Sequence, residues 1–351
     1  MKRDVLKARA ASLLYGTGLY KLIGSLNGTS RLPVIVAYHR VVETFKASLQ
    51  TTIPSLLISR RMLERHLDWL GRRYRLVDLD ELAARIESGE DSKRPLAAVT
   101  FDDGYADFYE QAMPILQKKG IPAAVFAITN LIGGAHVPTH DRLYLLLARR
   151  IGRRNLPPWS GIAVPKIERM TAYQATRVLI ETLPAAAIDQ IVETLEREDE
   201  IPARLLRQFR LLNWEQLKRI RQCGVTVGSH TQSHIILPNE TAPRVKMELA
   251  GSRADLENAL GGTVRHFVYP SGLFNTTSVQ QVADAGYRYA YTGCTHRSEE
   301  YPLLTMPRAV LWENSSLDAH RAFSGSVLNC QIYHAFDMAG GCRKRHHELA
   351  N

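Results

Sequence analysis

The strongest restriction on the fold is an alternation of short apolar runs, rich in β-branched residues, with longer runs of helical period. Strand-like runs fall at 34–37, 96–101, 123–128, 225–228, 265–269 and 287–291. Helix-like runs fall between them, at 59–73, 105–119, 242–260 and 276–285, with a further helix starting at Asn213. Gly120, Gly224 and Gly286 stand where helix C-caps belong, and Asp78-Leu-Asp-Glu81 has the form of a capping box. Alternating strands and helices give a parallel α/β sheet or barrel, and about seven strands at this spacing favour the barrel.

Residues 131–212 break the rhythm. Arg149, Arg150, Arg153, Arg154 and Pro157-Pro158 lead into helical patterning over 167–198, which reads as a helical insertion between two barrel units. The chain of 351 residues is long enough for one large domain or two smaller ones. The sequence divides it into an N-terminal basic amphipathic segment 1–30, a main domain 31–322 carrying the insertion, and a tail 323–351 that is polar from Gly340 onward. With 45% hydrophobic and 23% charged residues, disordered and collagen-like chains are excluded.

The net charge of +10 suggests an anionic partner, a membrane surface or a nucleic acid. No nucleic-acid motif is found, and the charge is scattered in arginine pairs. Cys223, Cys294, Cys330 and Cys342 form no C-x-x-C pair and read as free thiols of a reducing compartment. No uncharged run reaches the ~18 residues of a membrane-spanning helix. Residues 1–9 are basic and 10–20 moderately apolar, but Gly16, Gly18 and Lys21 interrupt any signal-peptide centre. Leu13, Leu14, Tyr15, Leu19, Tyr20, Leu22 and Ile23 could form one face opposite Lys2, Arg3, Lys7 and Arg9. That face suits either an interfacial helix on an anionic membrane or a helix packed on the domain. The expected location is the cytoplasm or the cytoplasmic face of a membrane.

Two local patterns carry chemistry. Thr100-Phe101-Asp102-Asp103-Gly104-Tyr105 follows an apolar strand directly. Carboxylates at the C-terminal end of a parallel strand lie where this fold class keeps its active sites. Adjacent side chains diverge, so one aspartate can bind a metal while its neighbour faces the reacting group. The same residues would also serve as an Asp-Asp-Gly turn and helix cap. The second pattern, His230-Thr-Gln-Ser-His234, follows another strand. His-x-x-x-His sets two imidazoles on one face of a helical turn, a metal clamp. Such a pair arises by chance about 0.4 times in a chain of this histidine content, so its weight comes from the matching strand-end position. Two histidines and an aspartate leave an open position, as a hydrolytic zinc site requires.

In these motifs, and in Tyr269-Pro-Ser-Gly272, the sequence resembles the polysaccharide deacetylase family, also called the NodB-homology or carbohydrate esterase family 4 domain. The similarity covers roughly residues 31–312. It implies a distorted (β/α)7 barrel and metal-dependent deacetylation of sugars, most simply the N-acetyl group of an N-acetylhexosamine in a polysaccharide or glycolipid. By resemblance Asp103, His230 and His234 bind the metal, zinc or else cobalt. Asp102 is the general base, and Ser271 offers a backbone N–H to the oxyanion.

Departures from the family pattern are equally plain. The third motif normally has an arginine two residues before its proline, which orients the catalytic aspartate; Val268 stands there. No Asp-x-x-Asp-Trp fourth motif and no late Leu-x-His fifth motif, the usual source of the acid, is found. Val36-Ala-Tyr-His-Arg-Val41 resembles the early Tyr-His motif of a branch that deacetylates poly-N-acetylglucosamine, which makes His39 the candidate general acid. A histidine merely hydrogen-bonded at a strand end would look the same. The missing arginine and late histidine favour a rival, a glycan-binding protein that keeps the metal site without turnover. A hydrolase of a non-sugar amide is a further one. Tyr105 and Trp312 are candidates for a sugar groove or for packing; Trp214, His266 and His296 read as structural, and His346-His347 as solvated.

Overall fold

The run Leu96–Phe101 is buried at all six positions, which a strand achieves when helices cover both faces of a parallel sheet. A computed structural model describes residues 2–26, 32–49, 51–89, 92–151 and 162–336. Its strands are β1 (Val34–Tyr38), β2 (Arg40–Val42), β3 (Leu57–Ser59), β4 (Arg75–Leu76), β5 (Leu96–Phe101), β6 (Ala124–Ala127), β7 (Thr226–Ser229), β8 (His266–Val268), β9 (Tyr289–Thr292), β10 (Met306–Pro307) and β11 (Ala309–Val310). Every pairing is parallel, in the order β10-β9-β8-β7-β6-β5-β1-β11, with β4 beside β5 and a separate β2-β3 pair.

The two ends of this order are neighbours in sequence. Met306 pairs with β9 while Ala309 pairs with β1, so the stretch 306–310 bridges the sheet into a nearly closed barrel. The barrel of the expected kind is therefore present, and its closing strand is the one the sequence pattern missed. Two pieces of two residues each show no periodicity.

The helices are α1 (Lys2–Thr17), α2 (Leu19–Leu26), α3 (Phe45–Ser48), α4 (Arg60–Arg73), α5 (Leu79–Ser88), α6 (Met113–Lys119), α7 (Thr139–Arg150), α8 (Ala172–Thr182), α9 (Ala185–Glu198), α10 (Ala203–Leu206), α11 (Trp214–Gln222), α12 (Ala242–Leu260), α13 (Thr276–Asp284) and α14 (Gly325–Ile332). Several begin where side chains cap them: Ser59 accepts from Met62 N, Asp78 from Glu81 N, and Asn213 from Gln216 N. The continuous helix expected over 105–119 is interrupted. Phe108–Ala112 forms a wider turn in which Met113 N bonds Phe108 O, and the regular helix starts only at Met113. Pro114 has no N–H to give back to residue 110, so the ladder loosens there.

Alternate strand residues sort into two cores. Ile35, Leu96, Ala98, Ala124, Phe126, Val268, Tyr291 and Met306 form one, with Leu79, Leu82 and Ala83 of α5. Val36, Tyr38, Val99, Phe101, Val125 and Phe267 belong to the other, together with the covering helices. The period of two keeps Thr100 and Asp102 on the same side as Leu96 and Ala98. Two expectations change at the chain's ends. The segment after Phe323 opens with α14, which packs against α1 through Val327, Cys330, Ala8 and Ala11. The apolar residues near the N-terminus do not share one face: Leu14, Tyr20 and Ile23 turn inward on α14, while Leu13, Leu19 and Leu22 stay exposed. Cys342, His346, His347, Arg153, Arg154, Pro157 and Pro158 lie outside the described residues. Among those described, no helix is long and apolar enough to cross a membrane, and Cys223 and Cys330 are free.

Candidate active site

All six singled-out residues lie at the C-terminal ends of barrel strands and line one cavity of about 250 Å3: His39 after β1, Asp102 and Asp103 after β5, His230 and His234 after β7, Ser271 after β8. Six non-glycine residues have positive φ among the described residues, and four of them are here: Asp103 at 67°, Thr231 at 65°, His234 at 61° and Ser271 at 55°. Each such residue costs about 1–3 kcal/mol and persists only where surrounding contacts impose it.

Those contacts are visible. The His230–His234 stretch is a tight turn, not the helical turn expected. Thr231 Oγ1 accepts from His234 N, and the buried Glu248 of α12 accepts from the amides of Gln232 and Ser233. With its amides held by side chains, the loop has no need of helical bonds, and positive φ at both ends swings the two imidazoles together. At the third motif, a Cβ on Gly272 would stand 2.5 Å from Gly293 N. Two strand-end loops approach that closely only because glycine is there.

Asp103 Oδ1 lies 3.4 Å from His230 Nε2 and 3.5 Å from His234 Nε2. These ligand atoms all fall within 4.8 Å of one another. Atoms bound tetrahedrally at the ~2.0–2.1 Å of zinc–nitrogen bonds stand about 3.3–3.4 Å apart. His230 Nδ1 is 2.8 Å from Val268 O, so it carries the proton and turns a lone pair on Nε2 toward the carboxylate. Asp103 Oδ1 is buried without a hydrogen-bond partner. Lone pairs converging in a buried space call for a cation between them, and this donor set fits a divalent metal. Burial pushes the Asp103 carboxyl up, but His230 and the charges of His140, His234 and His39 outweigh it and hold it well below the usual range. Burial, then His230, drives His234 well below an ordinary imidazole.

Asp102 is 3% exposed and met by an arginine the motif reading missed. Arg308 Nη1 donates to Asp102 Oδ1 at 2.8 Å and Nη2 to Oδ2 at 2.7 Å, and Nη1 also donates to Thr100 Oγ1. Such bidentate pairs fix orientation as well as charge. Arg308 is the single residue between β10 and β11, so the seam that closes the barrel delivers it. Its contact with Asp102 is of the kind that the resemblance assigned to the third motif's arginine. Burial raises the Asp102 carboxyl, and the charge and hydrogen bonds of Arg308 bring it below its ordinary value. The sequence held a signal: one arginine in Leu303–Leu311, an otherwise apolar stretch with few polar residues, is a charge that must be paired.

His39 Nε2 is 3.9 Å from Asp102 Oδ2, and its Nδ1 is buried without a partner. Burial holds this imidazole below its ordinary value despite the nearby aspartates. Next to it Arg40 is clamped by Asp107, which also accepts from Val41 N, fixing the turn that carries His39.

Two further residues went unnoticed in the sequence. His140 of α7 lines the cavity, with Nε2 3.9 Å from Asp103 Oδ2 and 3.0 Å from Tyr105 Oη, while Tyr105 donates to the buried Asp141 at 2.6 Å. Tyr105 is thus a buried strut and no groove lining. Trp312 is half-buried and caps a turn with Ser315. Trp214 packs against the core, and His266 is buried between Asp80 and Tyr291. One wall of the cavity comes from α8: Tyr173, Thr176, Arg177, Ile180 and Glu181 share a helical face and all line it.

A sequence-family model described as polysaccharide deacetylase matches residues 89–290, more than half of the chain. The Bacillus subtilis (strain 168) relative YxkH, whose name places it among polysaccharide deacetylases, is 20% identical over 264 residues. That match covers 75% of this chain and 64% of YxkH, so the chain spans less than two thirds of that relative. Among solved structures, the Streptococcus pyogenes deacetylase PplD in complex with acetate has a TM-score of 0.54 at 18% identity, covering 86% of this chain and 97% of that one. IcaB from Ammonifex degensii has a TM-score of 0.52 at 19% identity, covering 86% and 96%. These similarities establish the fold.

Proposed function

The chain belongs to the polysaccharide deacetylase family, and from that membership we propose that it is a metal-dependent deacetylase that hydrolyses the acetyl amide of N-acetylhexosamine in a polysaccharide or glycoconjugate. The observation that carries this reading is the side-by-side placement of a metal-fitting trio, Asp103, His230 and His234, and a carboxylate locked by arginine, Asp102. We take residues 31–322 as the deacetylase domain, 131–212 as its insertion, and 1–30 and 323–351 as its flanks.

Asp103, His230 and His234 would hold a zinc or cobalt ion, which would supply Lewis acidity for the acetyl carbonyl and for a water. Asp102 accepts the water's proton on a carboxylate oxygen; Arg308 keeps that carboxylate ionised and aimed. The positive φ of Ser271 turns the backbone of the third motif at the cavity wall, where its N–H serves the developing oxyanion. His39 gives a proton from Nε2 to the departing amine.

The non-catalytic reading drew its support from the missing arginine and the missing late histidine; the fork of Arg308 on Asp102 supports a substitute for the first, and His39 is the proposed substitute for the second. Acetate release from N-acetylglucosamine oligomers tests the proposal, run with zinc or cobalt, with chelator, and with Asp102→Asn. Metal-dependent release that disappears in the variant supports it. One bound metal per chain with no release from any acetylated glycan would sink it in favour of binding alone, and release only from non-sugar amides would move the substrate class.

A further inference from the structure

Among the described residues seven large hydrophobic side chains are exposed, and six of them are in α1 and α2: Leu6, Leu13, Tyr15, Leu19, Leu22 and Leu26. Leu6 and Leu26 are each 70% exposed, Leu13 65% and Leu22 57%. The spacing is ordered. Leu6 and Leu13 are two turns apart, and Leu19, Leu22 and Leu26 follow one stripe of α2. The inner faces are already used: Ala8, Ala11, Leu14, Tyr20 and Ile23 pack with α14, Tyr20 meets Tyr333 edge-on, and Lys7 lies over Phe336. The outer leucines are therefore a second apolar face, separate from the one that holds the helices to the barrel.

The charge beside this face selects its partner. Residues 1–26 carry five basic side chains and one acidic, and Arg9 and Lys21 are exposed there. A two-fold pairing of identical copies would set this basic cluster against itself, and like charges facing each other oppose association. An anionic bilayer complements both properties, taking leucines into the acyl boundary and holding the basic groups at its headgroups.

We propose that α1 and α2 dock the protein on an anionic membrane surface, with the catalytic mouth turned away from it. The orientation follows from the barrel. Tyr15 Oη accepts from Arg73 at the end of α4, two residues before β4 begins, and Tyr333 beside Tyr20 flanks the start of β1. Helices α1 and α2 thus sit at the strands' N-terminal ends, and the cavity opens at their C-terminal ends. The six residues of β5 span about 20 Å between the two. The inference stands independently of the reaction performed at the other end.

Flotation of the full chain with phosphatidylcholine vesicles, with and without phosphatidylglycerol, tests it. Binding to the anionic vesicles should weaken with salt, and Arg9→Gln or Lys21→Gln should each reduce it about 5-fold. The combined Leu6→Ser, Leu13→Ser, Leu22→Ser and Leu26→Ser variant should lose at least ~10-fold. Its thermal melt should match that of the unaltered chain, which shows that the inner face still holds. Absence of wild-type flotation overturns the proposal. So does equal flotation of the leucine variant, or light scattering showing a dimer that this variant converts to monomer, since a second copy would then be the occupant.

Discussion

Replacing Arg308 by methionine probes the least expected part of the site. The side chain is 2% exposed and makes two hydrogen bonds to Asp102 and one to Thr100. Removing one member of a buried ion pair leaves an uncompensated charge, a loss of about 3–5 kcal/mol if Asp102 stays ionised. Asp102 can escape part of that by taking up a proton. Burial, the largest influence on its carboxyl, raises it, and in the variant only His39 and His230 oppose burial. The carboxyl therefore climbs. Each unit by which it passes the assay pH removes about tenfold of the ionised base, up to the ~10²–10⁴ that a general base contributes. The assay is kcat/KM for acetate release against pH. Arg308→Met should shift the acid limb upward and recover activity at high pH. Arg308→Lys, which keeps the charge and loses the fork, should fall between. An unmoved acid limb with activity within about threefold of wild type would refute the idea that Arg308 holds the base.

Three other outcomes are expected. Asp103→Asn and His234→Ala should each reduce bound metal from about one ion per chain to near none by elemental analysis after dialysis, leaving the melt in chelator unchanged. His66 is buried against Tyr38 and Ser316 and held neutral down to about pH 3. Its folded value lies below the unfolded ~6.5, so the unfolded chain binds the extra proton and stability falls as pH drops through that window. Roughly 2 kcal/mol should go between pH 7 and 5 in denaturant titrations, and His66→Gln should flatten that slope. Ile180→Trp on α8 should crowd the cavity and reduce kcat/KM on oligomers at least ~10-fold, with metal content intact.

How much could be read beforehand depended on sequence distance. Asp102 and Asp103 are contiguous, and His230 and His234 sit four positions apart at another strand end, so local pattern and fold class brought them to notice. The pairing of Asp102 with Arg308 spans 206 positions, and only closure of the barrel brings the two together. His140 reaches Asp103 from α7, in the stretch where the alternation breaks, so no strand-end rule pointed to it. Tyr105 stayed open between groove and packing for a related reason: an aromatic beside a motif can face out or in, and the partners that pull it in, His140 and Asp141, lie 35 and 36 positions on. The turn of the second motif was taken as helical because spacing alone cannot reveal that Glu248 captures its amides.

The seam at residues 306–310 joins β9 to β1 and carries Arg308 as its middle residue. Architecture and reactivity are thereby tied to the same few backbone pairings. A molecule whose last strand peels away keeps Asp103, His230 and His234 on strands that remain paired to one another, so on the proposed reading it would still take up metal. It loses the guanidinium that holds Asp102, the proposed base. A partly melted preparation would then look fully loaded by metal content while turning over slowly, and the gap between the two readings would count the molecules whose barrels stand open.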